Sequence, residues 1–283
     1  MIETFEEHRP LLFSIAYRIL GSAADAEDIL QEAWLRWDSA PGPVASPRAY
    51  LVRTVTNLSL NRLRSAAAQR ESYVGPWLPE PLVTAPEATE RAEVAESVSL
   101  AMLVLLETLS PLERAVFVLK DVFGFSYREI AGMLDRSEAA VRQVGHRARS
   151  HVHARRPRFD ASAEVRRRVT EEFLAACQGA DLSRMMELLA PDVTAWTDGG
   201  GKVPAALRPL HGAGKVARWL LAVMAGSWPR WEVRDVDVNG MPGLVVTAAG
   251  VPEAVVCLDV SHGRIAELRI ILNPDKLRHI GQV

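Results

Sequence analysis

The sequence predicts a multidomain chain: two all-α segments, the second a helix-turn-helix, followed by an α+β domain. Three observations carry that reading. Apolar residues recur at helical spacing through roughly the first 65 positions. Serine-led capping signals then open a series of short helices that ends in an arginine-rich one. Beyond Ser162 the texture changes to two helices and then to strand-like runs. The length, 283 residues, suits two or three domains.

The elements follow in order. Leu11, Leu12, Ile15, Ala16, Ile19 and Leu20 share helical spacing, and Gly21 stops that helix. Asp25 to Trp37 reads as a second amphipathic helix, broken by Pro41-Gly42-Pro43. Ser46-Pro47 opens a third, as N-cap and first-turn proline, running to about Ser65. From Ala66 to Thr89 there is no period, and Gly75, Pro76, Pro79, Pro81 and Pro86 mark a linker. Helices resume near Arg91. Ser110-Pro111-Leu112-Glu113 is a capping box with proline at the first helical position, and Ser126-Tyr127-Arg128-Glu129 repeats the box. Ser137-Glu138 opens the arginine-rich helix, which Pro157 ends.

The tail should begin with helices Glu164 to Gln178 and Leu182 to Leu189. Strands are expected at Val193 to Thr197, Trp231 to Val238, Leu244 to Ala249, Ala254 to Val260 and Ile265 to Leu272. One more helix, Gly214 to Met224, interrupts them. The expected boundaries are 1–70, a linker at 71–92, 93–156, and 160–283.

Net charge is −2, with 48% apolar and 24% charged residues, so the chain is not a bulk-basic nucleic-acid binder. Charge is local instead. Arg136 to Arg158 holds seven arginines and one acid, Glu138, whereas Glu71 to Glu107 holds seven glutamates and only Arg91. A basic block beside an acidic stretch suggests a DNA-facing surface next to a linker that avoids DNA. Cys177 and Cys257 lie far apart in apolar surroundings and read as buried free thiols. No zinc spacing, signal peptide or membrane-spanning run is evident, so no metal, no cofactor and a cytoplasmic location are expected.

Residues 126–153 fit a helix-turn-helix. Ile130, Ala131 and Leu134 face inward on its first helix, and Ala140, Val141, Val144 and Ala148 on its second. Ser137, Glu138, Arg142, Gln143, His146, Arg147 and Arg149 are left outside. Such a helix places its N-terminal residues at base edges in the major groove. Arginine suits guanine, glutamine adenine and glutamate cytosine, while distal arginines suit phosphates. A surface helix with solvated arginines is the competing reading. Asp135 where a turn glycine is common, and Gly145 inside the helix at a cost of about 1 kcal/mol, both weaken the local signal.

The run Asp25-Ala26-Glu27-Asp28-Ile29-Leu30-Gln31-Glu32-Ala33-Trp34-Leu35-Arg36 resembles the second conserved region of extracytoplasmic-function (ECF) sigma factors. That resemblance implies docking on the clamp of bacterial core RNA polymerase through Asp25, Asp28, Gln31, Glu32, Trp34, Leu35 and Trp37. The helix from Pro47 to Arg64 resembles the family's minus-ten reader, with Arg53, Asn57, Asn61, Arg62 and Arg64 as its DNA contacts. Arg53, Asn57, Asn61 and Arg64 form one polar stripe by spacing, a face that can hydrogen-bond an unstacked base. The helix-turn-helix is then the minus-thirty-five reader.

In the linker, Trp77-Leu78-Pro79-Glu80-Pro81-Leu82 resembles a signature of ECF factors with a C-terminal SnoaL-like domain. So do Asp198-Gly199-Gly200-Gly201-Lys202 and Asn273-Pro274-Asp275-Lys276-Leu277 in the tail. The resemblance implies a cone-shaped α+β fold that regulates the sigma factor from within. The linker motif would be a stiff peptide docking on the tail. The implied partners are core RNA polymerase and promoter DNA, with the free chain a monomer. A ligand-sensing or enzymatic cone domain fused to a helix-turn-helix regulator is the alternative. Asp198, His211 and Asp259 are candidate bases by residue type alone, without an acid–base pair, and the chain is read as no enzyme. Trp196, Trp219, Trp228 and Trp231 are candidates to line a small-molecule cavity.

Overall fold

The computed structural model describes residues 2–40, 42, 44–84, 99–155, 161–227 and 230–280. The expected break at Pro41 and Pro43, the helix restart near Arg91, Pro157 and Trp228 lie outside them. The chain divides into two units, Met1–Ser72 with Met102–Arg156, and Tyr73–Ala101 with Pro157–Val283.

The first unit is helical. α1 (Ile2–Leu20), α2 (Ala23–Asp38) and α3 (Pro47–Glu71) pack mutually. Leu12, Ile15, Ala16 and Ile19 of the predicted apolar stripe are buried, as are Ala26 and Ile29 of α2 and Leu51 and Val55 of α3. Ser22 caps α2 by accepting from the Asp25 amide at 3.0 Å. α3 runs past Ser65 to Glu71. The extension, rich in Ala and Gln/Arg, has strong helix propensity but no apolar period, so periodicity alone stops short of it.

α4 (Leu100–Leu106), α5 (Pro111–Phe117), α6 (Tyr127–Leu134) and α7 (Glu138–Arg155) follow, with a π-helical turn at Val118–Val122 after α5. Both serine capping boxes form, Ser110 with Glu113 and Ser126 with Glu129. Asp135 ends α6 in the left-handed conformation (φ 53°), the role a turn glycine would otherwise fill. Gly145 also has a reason: a Cβ there would stand 3.0 Å from the ring of Tyr127, the first residue of α6, which packs against α7 at this point. The three helices of the first segment meet the second within this unit. Arg114 donates to the Ile19 carbonyl at 2.9 Å, the Arg18 guanidinium lies 5.1 Å from the Phe123 ring centre, and that of Arg48 5.0 Å from Phe125.

The second unit is a curved seven-stranded sheet with helices against one face. β1 (Val83–Thr84), β2 (Leu189–Asp198), β3 (Leu210–His211), β4 (Trp231–Val238), β5 (Met241–Ala248), β6 (Val251–Ser261) and β7 (Arg264–Ile271) run in the order β1-β4-β5-β6-β7-β2-β3. Among the described residues only the β2–β7 pairing is parallel; irregularities at Val246/Thr247, Asp259/Val260 and Leu189/Thr194 add curvature. α8 (Ala163–Gln178), α9 (Leu182–Leu188) and α10 (Ala213–Ser227) supply Phe173, Met185, Val216 and Leu220 to a core shared with Leu244, Leu258, Leu268 and Ile270. Strand β2 begins at Leu189, four residues earlier than its period suggests, because β7 pairs with it there. β1 lies in the linker and pairs with β4, so the linker supplies an edge strand to the cone. Cys177 and Cys257 are free and buried. No helix among the described residues is long and apolar enough to cross a membrane.

Candidate functional site

The second helix of the helix-turn-helix, α7, presents Glu138, Arg142, Gln143, His146, Arg147 and Arg149 to solvent. Glu138, Arg142, His146 and Arg149 follow one another at helical repeats, so they share a face. The face is pre-organised. Glu138 holds Arg142 at 2.6 Å, and the Arg142 guanidinium lies 4.9 Å from the Tyr127 ring centre. Arg149 donates to Asp121 at 2.7 Å, which raises its pKa. Ser137 is exposed, but its hydroxyl accepts from the Ala140 amide at 3.2 Å, so it caps the helix. Tyr127 and Asp121 went unnoticed in the sequence; they hold the arginines of this face in place.

On α2, Asp28, Gln31, Glu32 and Leu35 are exposed, and Asp25 and Trp34 are half-buried. Leu35 is 63% exposed, an apolar anchor among acids. Trp37 is different. It is 5% exposed and packs on Tyr50 at 5.7 Å between ring centres, so it belongs to the α2–α3 contact and offers no face to a partner. A groove of about 430 Å³ runs beside Trp34, lined also by Phe5, Arg9, Glu27 and Asp28. Its α1 residues carry no local signal, because α1 reads from sequence only as an apolar stripe.

On α3, Arg53, Asn61, Arg62 and Arg64 are exposed and Asn57 is half-buried. Asn57 donates to the Met133 carbonyl of α6 at 3.1 Å, so one member of the stripe is engaged by the helix-turn-helix. Arg62 donates twice to Asp25, at 2.9 and 2.5 Å, and joins the two surfaces assigned to polymerase and to DNA. That bond raises the Arg62 pKa.

In the second unit the linker is seated on a buried ionic centre. Asp198 is fully buried. Its carboxylate accepts from the Tyr73 hydroxyl at 2.5 Å, the Leu78 amide at 2.8 Å and the Lys276 ammonium at 2.7 Å. Lys276 also donates to the Leu78 carbonyl at 2.5 Å and lies 4.1 Å from the Trp77 ring centre. Burial and the bond to Asp198 push the Tyr73 phenol well above its ordinary value. Asn273 caps the short helix α11 (Pro274–Leu277), accepting from the Asp275 amide at 3.1 Å, and donates to Tyr73 at 2.9 Å. Lys202 pairs with Asp275. Pro79, Glu80 and Pro81 are buried, and the Pro81 carbonyl lies 2.7 Å from His279 Nε2.

The glycines make this approach possible. Gly200 has φ 58°, and a Cβ there would fall on the Asn273 amide and 2.9 Å from the Tyr73 hydroxyl. A Cβ on Gly199 would meet the Val203 carbonyl at 2.6 Å, and one on Gly201 would meet Val74 at 3.1 Å. The structure thus brings the three sequence runs together. It adds Tyr73 and Asn239, the latter exchanging two hydrogen bonds with Leu82 at 2.8 and 3.0 Å.

The three candidate bases do not share a site. Asp198 serves the linker, Asp259 pairs with buried Arg269, and His211 on β3 lies 3.1 Å from the Thr194 hydroxyl of β2. Among the described residues no group of His, Cys, Asp and Glu could hold a metal ion. Trp219 and Trp231 line a cavity in the cone, whereas Trp196 lies opposite Arg269 in the β2–β7 register, on the other face of the sheet.

Comparison with known proteins agrees with this layout. Residues 4–69 match Sigma-70 region 2, and residues 99–152 match Sigma-70, region 4. The ECF RNA polymerase sigma factor SigJ of Mycobacterium tuberculosis is 40% identical over 289 aligned residues, 97% of this chain and 92% of that protein. The probable ECF factor SigI of the same species is 30% identical, covering 95% and 92%. The crystal structure of SigJ superposes with a TM-score of 0.79 at 37% identity, covering 98% of each chain. The match extends through the tail, so helical sigma regions are followed by a cone-shaped, SnoaL-like α+β domain in both. Similar in sequence and fold to these relatives over nearly its whole length, the chain belongs to the extracytoplasmic-function family of RNA polymerase sigma factors.

Proposed function

We propose that the chain is an alternative sigma factor that binds core RNA polymerase and directs promoter-specific initiation. In this reading α2 and its neighbouring groove meet the polymerase, α3 takes the minus-ten element, and α7 takes the minus-thirty-five element. The cone domain sets activity in cis by holding the linker between the two DNA-reading regions. The observation that carries the regulatory half is the Asp198–Lys276 centre, a buried ion pair built around a linker amide and carbonyl.

The test is transcription by purified core RNA polymerase from a library of promoters, with the full chain and with a version ending before residue 160. Specific initiation by either form supports the sigma reading, and a difference between forms supports regulation by the tail. Failure of both forms to bind the polymerase would sink it.

Arg142→Ala is expected to weaken use of the upstream element by about tenfold to a hundredfold and to relax preference at one base pair, since a bidentate base contact is worth about 1–3 kcal/mol. Promoter binding measured across single-base variants checks this. A uniform loss across all variants would instead make Arg142 a phosphate contact. Asn57→Ala should impair opening while leaving upstream recognition intact. Permanganate footprinting of the opened strand reads the first, and promoter competition the second.

A further inference from the structure

The helices of the second unit do not fill its curved sheet. Between α8, α10 and strands β4 to β6 lies a cavity of about 560 Å³, within the size range of small-molecule sites. Its walls are apolar, with Phe173, Leu174, Trp219, Val223, Trp231 and Val246 among them. Aromatic faces of this kind favour planar rings, and dry apolar cavities take up apolar guests.

The polar groups near it argue against a charged guest. Glu253 stands at the cavity, but its carboxylate already accepts from Trp231 Nε1 at 2.7 Å and from Arg230 at 3.0 Å. Cys177 also lines the wall, and burial pushes its thiol up to about 12, so it stays neutral. A charged ligand would lose its hydration with no unengaged counter-charge to meet it.

The cavity and the linker seat also share their backbone. Val203, Pro204, Leu272 and Pro274 line the cavity. The amides of Leu272 and Asn273 donate to the Asp198 carbonyl at 2.7 and 2.8 Å, and the Val203 amide lies 3.4 Å from the Gly199 carbonyl. Asn273, between two lining residues, holds Tyr73 of the linker. A molecule that presses on 203–204 and 272–274 therefore acts on the residues that grip the linker.

We propose that this cavity binds an uncharged, ring-containing apolar small molecule, and that its occupancy is coupled to the seating of the linker. The coupling rests on the regulatory reading above; the binding does not. The probe is N-phenyl-1-naphthylamine, titrated into the full chain and followed by energy transfer from tryptophan. Saturable binding at a single site is expected, with its anionic relative anilinonaphthalene sulfonate bound about tenfold more weakly. Val223→Asp, at a position 41% exposed and thus tolerant, and Leu174→Trp, which fills space, should each weaken the probe by about tenfold without lowering the melting temperature. Non-saturating uptake, equal binding of the sulfonate, or indifference to both variants overturns the site.

For the coupling, Tyr73→Phe removes a linker contact made by a residue that does not itself line the cavity. Reciprocity then demands a changed probe affinity, by about fivefold. An unchanged affinity, with proteolysis showing the linker released, overturns the coupling. Because transcription is not read, these outcomes stay distinct from failure of the regulatory reading, which would show as linker variants with unaltered initiation.

Discussion

Asp198→Ala is expected to destabilise the second unit by about 3–5 kcal/mol and to release the linker, because it leaves a buried ammonium without its counter-charge. The Lys276 side chain is 7% exposed and Asp198 is not exposed at all, so water cannot replace the lost partner. The Tyr73 hydroxyl and the Leu78 amide lose their acceptor in the same step. Denaturant unfolding, followed by fluorescence of the cone tryptophans, reads the stability. Proteolysis between Tyr73 and Thr84 reads the linker. Both should change together, since one carboxylate serves both. The pair variant Asp198→Leu with Lys276→Met separates charge from hydrogen bonding. It should regain a large part of the stability, because an apolar pair can replace a buried ion pair, yet it should leave the linker loosened, because Tyr73 and Leu78 still lack an acceptor. A single variant as stable as the parent would mean that the ion pair is solvated in solution and that the linker is held elsewhere.

What the sequence disclosed depended on the range of the signal. The capping boxes at Ser110 and Ser126 were legible because each is closed within four residues, and both form. The helix-turn-helix face was legible because exposure follows helical period. Its two apparent flaws, Asp135 and Gly145, proved to be fitted to the left-handed turn and to the Tyr127 ring. The limits appear where partners are distant in sequence. Trp37 looked like an interface aromatic because nothing local shows Tyr50 beside it. The two-residue strand β1 exists only through its pairing with β4, more than 150 positions away. The linker seat is the extreme case. Asp198, Lys276 and Asn273 stood out by resemblance to a family signature, whereas Tyr73, Asn239 and His279, which complete the seat, belong to no motif and are bound by contacts formed only on folding.

Arg114→Ala is expected to separate the two sigma regions of the first unit, at a cost of about 3 kcal/mol. Arg114 is 2% exposed, pairs with Glu107 at 2.6 Å and donates to the Ile19 carbonyl at the end of α1. It therefore ties the helix-turn-helix segment to the region 2 helices, alongside the weaker Asn57–Met133 bond. The tie matters because the minus-ten and minus-thirty-five elements lie about 25 base pairs apart, roughly 85 Å along B-form DNA. Regions joined by direct hydrogen bonds cannot span that length, so in the proposed function the unit must open when it takes a promoter. A variant already opened would pay less of that opening cost on binding polymerase. Small-angle scattering of the free chain should show a larger radius of gyration for Arg114→Ala, and its affinity for core polymerase should rise even as its unfolding midpoint falls. An unchanged radius with lower stability would make Arg114 a core residue only, and would leave the opening to the polymerase itself.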